Sequence, residues 1–178
     1  MQEAQKHKHI AQNRISLGVD GSDGSYVDIE FLLSGDDARR LIIRLLFIPP
    51  SDDPAAAETM YEMVGDDIAS KLSVQVVSFY DRKVESSPSP DGNPFGKAEG
   101  QFDLLLDELN YLYRTIVEII FRVADTELVE LIFFGADNER LQSVYDRYIR
   151  RYSKKMGFDY ITKGAYYAIR TQHYPREG

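Results

Sequence analysis

Cysteine is absent from this chain, and histidine occurs only as His7, His9 and His173. Without cysteine there can be no disulfide, no thiolate metal site and no cysteine nucleophile. All three histidines fall in terminal segments, so hydrolysis by a Ser-His-Asp constellation, which needs a positioned imidazole, is not expected. His7 and His9 have a spacing that chelates metal weakly, but a polar tail over 1–12 is the expected setting. Long hydrophobic runs are also missing. Leu41–Pro50 is the nearest approach, and it is interrupted by Arg44 and far short of the roughly 20 residues a membrane span requires. Met1–Arg14 lacks the apolar centre of a signal peptide, which makes the cytoplasm the expected compartment. Neither a Walker-type nor a Rossmann glycine fingerprint is present. Positive charge is in deficit: the formal charge is −8 and the pI about 4.9, arguing against broad nucleic-acid binding.

What remains is the composition of an ordinary globular domain, 43% hydrophobic and 28% charged. One domain over 13–172 is the simplest organisation for 178 residues. Ile15, Leu17 and Val19 alternate with polar residues, and so do Val27, Ile29, Phe31 and Leu33. The two runs flank a turn-forming Asp20–Ser25 stretch and predict a hairpin. Leu41–Ile48 reads as a central strand stopped by Pro49 and Pro50, which cannot donate to a ladder. Asp52, Asp53 and Pro54 open a helix predicted to run to about Leu72, weakened at Gly65. A strand over Val74–Tyr80 follows. The segment 84–100, rich in Ser, Pro and Gly, reads as a long loop within the domain.

From Phe102 to about Asp125, Leu105, Leu109, Leu112, Ile116, Ile119 and Val123 recur at intervals of three and four, one face of a long helix. Val129–Phe134 is a strand with an unbroken apolar centre. A helix capped by Asp137 or Asn138 then runs to Met156, with Leu141, Tyr145, Tyr148 and Tyr152 inward and Gly157 as its stop. Tyr160–Arg170 is read as a last strand. The sum is an α/β (α+β) fold, strands first and then helices alternating with strands, in a mixed, mostly antiparallel sheet with helices on both faces. Between Arg140 and Lys155 six cations, Arg140, Arg147, Arg150, Arg151, Lys154 and Lys155, stand against Asp146 alone. Such a stripe is either a solvated helix face or a surface for a phosphate, a cofactor or an acidic partner. Asp52-Asp53 and Asp66-Asp67 are adjacent pairs, whose members do not share a helix face, so no metal site is expected from them.

Asn138 and Tyr145 lie seven residues apart, two turns along one helix face, with Asn138 at the end where backbone amides are free. With the preceding strand and the later Gly157-Phe158 pair, this unit resembles the C-terminal half of GNAT-type N-acetyltransferases, over roughly Phe95 to Arg170. It is closest in style to GNAT-like bacterial and phage proteins of unknown role. The resemblance implies that Asn138 and Tyr145 line an acyl-CoA site, with Tyr145 protonating the departing thiolate. It implies too that the parallel strands at Val74 and Val129 splay to admit the pantetheine arm. The family's pyrophosphate loop corresponds to Phe95-Gly96-Lys97-Ala98-Glu99-Gly100-Gln101. There Gly96, Lys97 and Gly100, together with Arg140, are the candidates for cofactor phosphates, although the glycines are more widely spaced than the family's and Glu99 adds an anion. Two functions follow. The favoured one is a GNAT-like, non-catalytic binding or interaction module, whose basic stripe serves a protein partner or a homodimer. The alternative is an acyl-CoA-dependent N-acyltransferase using acetyl-CoA on an amine of a small molecule or protein, with a carboxylate such as Asp81 as base.

Overall fold

In a computed structural model, residues 7–11, 15–16, 24–33, 39–83, 104–136 and 139–175 can be described, except for the side chains of 15, 16, 68, 69 and 140. They form an α+β fold whose mostly antiparallel open sheet has the strand order β1-β3-β4-β5-β6-β8-β7, with a two-residue β2 beside β3. The strands are β1 Lys8–Ala11, β2 Ile15–Ser16, β3 Ser25–Leu32, β4 Arg40–Ile48, β5 Val74–Asp81, β6 Leu131–Gly135, β7 Asp159–Lys163 and β8 Tyr166–Arg170. The helices are α1 Pro54–Val64, α2 Leu106–Thr126 and α3 Glu139–Met156, with a single helical turn at Asp66–Ala69. By internal contacts the chain divides into two compact units, Met1–Leu46 with Phe79–Thr115, and Phe47–Ser78 with Ile116–Gly178.

In the first unit the alternation of β3 buries Val27, Ile29 and Phe31, and that of β4 buries Leu41, Ile43 and Leu45. The intervening Asp28 is also buried. It accepts from Nε and Nη2 of Arg44 at 2.8 and 3.0 Å and from Nη1 of Arg82 at 3.2 Å. The Arg44 guanidinium lies 3.9 Å from the centre of the Tyr26 ring, so both its edge and its face are occupied. The expected tail over 1–12 is corrected in part. Lys8–Ala11 pairs antiparallel with β3, Lys8 opposite Leu32 and Ala11 opposite Ile29. His7 Nε2 meets Asp107 Oδ2 at 3.2 Å and His9 Nδ1 meets the Tyr111 hydroxyl at 2.5 Å, which ties this strand to the first turns of α2. The hairpin expectation agrees where it can be followed, Ile15 pairing with Tyr26. α2 begins at Leu106, not Phe102, because Glu108 reaches back to accept the Leu105 N–H at 2.9 Å, half of a capping box. Glu108 is fully buried and is neutralised by the Arg39 guanidinium.

In the second unit Asp53 caps α1, its carboxylate accepting the Ala56 N–H at 3.1 Å, with Pro54 in the first turn. The helix predicted to continue to Leu72 stops at Gly65, whose φ of 97° lies outside helical space. Met60 of α1 is fully buried against Val74, Val76, Leu131, Phe133 and Ala168. The predicted single strand Tyr160–Arg170 is instead a hairpin, Asp159 opposite Arg170 and Lys163 opposite Tyr166, turning at Gly164 with φ 59°. α3 ends as expected. Gly157 takes φ 73°, and the N–H groups of Gly157 and Phe158 both reach the Ser153 carbonyl, at 2.8 and 3.0 Å. Phe158 then packs on Phe121 of α2 with ring centres 4.9 Å apart, and the Tyr152 hydroxyl donates to Glu118 Oε1 at 2.6 Å.

Candidate functional site

Two features of the second unit bear on function: the parallel pair β5–β6 and the helix α3. The parallel register joins Val74 to Leu131, Gln75 to Ile132 and Val76 to Phe133. Past Val76, β5 continues to Asp81, and past Phe133, β6 continues through Phe134 and Gly135, which are paired with Tyr167 and Tyr166 of β8. At Gly135 the chain passes so close to Tyr166 that an added Cβ would sit 3.0 Å from its ring.

Tyr145 projects from α3 onto this end of β6. Its ring meets Phe134 edge-on at 5.0 Å and Tyr167 edge-on at 5.9 Å, while Phe134 and Tyr167 stack at 5.1 Å. Tyr145 is buried, with 7% of its surface exposed. The side chain expected to serve as acid therefore also packs edge-on against a stacked pair of aromatic neighbours. Tyr167, which the sequence did not single out, is fully buried and donates its hydroxyl to Asp146 Oδ1 at 2.5 Å, with the Gln142 carbonyl at 3.1 Å. Burial, and then the bond to the Asp146 carboxylate, push the Tyr167 phenol well above its ordinary range. It holds its proton and is a poor acid.

The opposite side of α3 is charged. Ser143, Asp146, Arg147, Arg150, Arg151 and Lys154 line a shallow surface groove. The three arginines and the lysine are exposed, and none forms an ion pair with a described residue. Asp146, the only acid among these lining residues, gives a carboxylate oxygen to Tyr167. Arg147 and Arg151 are one turn apart, as are Arg150 and Lys154, so the four form a double row about 10 Å long. Lys155 lies to one side, its ammonium 6.0 Å from the Tyr152 ring centre.

Of the residues expected at an acyl-CoA site, Gly96, Lys97, Gly100 and Asn138 lie outside the described residues. Arg140 lies in the first turns of α3, with its side chain also outside them. Asp81, suggested as a base, uses Oδ1 to accept the Lys83 N–H at 2.9 Å and so caps its own turn. Among the described residues no three His, Asp or Glu side chains gather as a metal site, and no helix is long and apolar enough to cross a membrane. The Asp28–Arg44–Arg82 cluster went unread in the sequence. Its available signal is a charge of each sign on neighbouring strands, Asp28 between the inward residues of β3 and Arg44 between those of β4. The Tyr167–Asp146 bond left no local signal, because its partners are 21 residues apart on different elements. No protein-family model matches the chain, and no curated protein or solved structure is similar enough to it to count as a match.

Proposed function

We propose that this chain is a GNAT-like module that binds an acidic protein partner along α3 and does not itself catalyse acyl transfer. The groove carries this reading: four exposed cations in a chain of net charge −8, none of them ion-paired with a described residue. Clustering like charges is unfavourable in the free protein, and a complementary surface relieves that repulsion. Each exposed pair contributes only about 0.2–1 kcal/mol and is screened by salt, so the interaction is salt-sensitive and moderate in strength. Support for the GNAT-like arrangement comes from the order β5–α2–β6–α3–β7–β8 with β5 and β6 parallel. Helices on both faces are supported by the side-chain alternation. Leu131, Phe133 and Ala168 meet Met60 of α1, whereas Phe134 and Tyr167, pointing the other way, meet Tyr145 of α3.

Fluorescence anisotropy of a labelled oligoglutamate peptide tests the proposal. Binding should be present at low salt, decline as salt rises, and be abolished by Arg147→Glu/Arg151→Glu. A peptide that binds the charge-reversed protein equally well would end this reading.

The second reading, an acyl-CoA-dependent N-acyltransferase, is favoured by the short parallel ladder, which stops at Val76 and Phe133 where the family's cofactor arm enters. Tyr145 beside Phe134 stands at the right end of β6 for it. Acetyl-CoA at about 100 times its Kd would add about 2.7 kcal/mol and raise the melting temperature by roughly 5–10 °C. An unchanged melting temperature at saturating acetyl-CoA would dispose of it.

A further inference from the structure

The geometry points to a second copy of this chain as the acidic partner, with the α1 surface of one copy seated in the α3 groove of the next. This rests on the reading of α3 as a docking surface and gives that surface a specific occupant. The second unit carries another shallow groove, lined by Pro50, Ser51, Pro54, Ala57, Glu58, Tyr61, Glu62 and Asp66. Its titratable side chains other than Tyr61 are all acidic, and all three acids are exposed. Glu58 and Glu62 are one turn apart on α1, the same spacing as Arg147 and Arg151 on α3, so two rows of opposite sign share one pitch. Glu62 already binds one exposed cation, Lys163 at 2.7 Å, and its second oxygen remains available to another. Tyr61, 36% exposed between these acids, offers a ring face on which an arginine can stack. Pro50, Pro54 and Ala57 supply apolar contact beside the charges.

The two surfaces are different, so the contact is head-to-tail: each copy that has used one surface keeps the other free. Masses should therefore continue past the dimer as concentration rises. The charges fix orientation and make the assembly dissolve in salt.

Light scattering and sedimentation of the full chain, at low and high salt, test the inference with two charge-reversed variants. Wild type should gain mass with concentration at low salt and return to a single chain at high salt. Arg147→Glu/Arg151→Glu has two acidic surfaces, and Glu58→Arg/Glu62→Arg has two basic ones, so each alone should remain a single chain. Mixed in equal amounts they should associate again, which a variant that had failed to fold could not do. The neutral pairs Arg147→Gln/Arg151→Gln and Glu58→Gln/Glu62→Gln should each associate weakly alone, and mixed they regain one intact contact, so that their association should stop at a pair of chains. A wild-type chain that stays single at low salt at every concentration overturns the inference, as does association that survives either reversal. If it stays single yet binds oligoglutamate through Arg147 and Arg151, this inference falls and the acidic-partner reading stands. If it does neither, both fall.

Discussion

Replacing Tyr167 with Phe removes one oxygen from a fully buried side chain and leaves its stacking on Phe134 intact. The lost hydroxyl donates to a carboxylate, and a hydrogen bond to a charged group contributes about 1.5–3 kcal/mol. Asp146 is exposed and regains water when the bond is lost, which places the cost at the lower end, about 1.5 kcal/mol. For a chain of this length that corresponds to a fall in Tm of roughly 3–6 °C, measured by circular dichroism at neutral pH. The pH dependence supplies a second, independent readout. Tyr167 has its phenol raised in the folded state, first by burial and then by Asp146. Below the unfolded value near 10 both states hold the proton and the contribution is full. Above it the unfolded chain ionises while the folded chain does not, so stability is lost as pH rises, by about 1.4 kcal/mol per unit for this group. The other tyrosines contribute a common background, so the difference between wild type and Tyr167→Phe isolates the slope. A variant with unchanged Tm at neutral pH and the same alkaline slope as wild type would refute the assignment.

Asp28→Asn should cost about 3 kcal/mol in urea denaturation, because it leaves two guanidinium groups facing a neutral amide. That is the low end for a buried pair, since Arg82 is partly exposed and Arg44 keeps its contact with Tyr26; a loss under about 1 kcal/mol would mean that water reaches the cluster. Gly157→Ala meets open space, so its cost is backbone strain alone, about 1 kcal/mol by thermal melting. Gly157→Asn should cost less, and equal losses for the two would show that φ is not the cause. Tyr145→Phe keeps both aromatic contacts and should leave oligoglutamate affinity unchanged; a tenfold loss, about 1.4 kcal/mol, would link the buried face of α3 to its groove.

The elements legible in the sequence are those whose causes are local. β4 ends at two prolines, α1 begins at an aspartate that accepts an amide three residues on, and α3 ends at a glycine with positive φ. What the sequence does not show depends on partners far along the chain. Lys8–Ala11 has too few apolar residues to announce a strand and becomes one through the edge of β3. The hairpin at Gly164 was hidden because Tyr160–Arg170 carries no Asn-Gly or Asp-Gly signal, and its register is set by pairing with β6. The end of α1 turns on whether Gly65 is crossed or left with positive φ, which helix propensity alone does not decide.

The basic stripe shows the same division within one helix. That six cations stand between Arg140 and Lys155 is plain in the sequence, but a run of charge is neutral in effect when carboxylates stand opposite it. The fold decides that. Tyr145, Tyr148, Ile149 and Tyr152 take the inward side of α3, and Arg147, Arg150, Arg151 and Lys154 fall about half a turn away around the axis. Asp146, at the edge between them, is drawn inward by the Tyr167 hydroxyl and so gives less to the arginines than its position suggests. A buried phenol thereby engages the one acid among the residues that line the groove. Tyr167→Phe should therefore weaken the groove's affinity for acidic peptide, by freeing Asp146 to turn outward, while Tyr145→Phe should not. The two neighbouring aromatic residues thus separate what holds α3 in place from what sets the charge on its outer side.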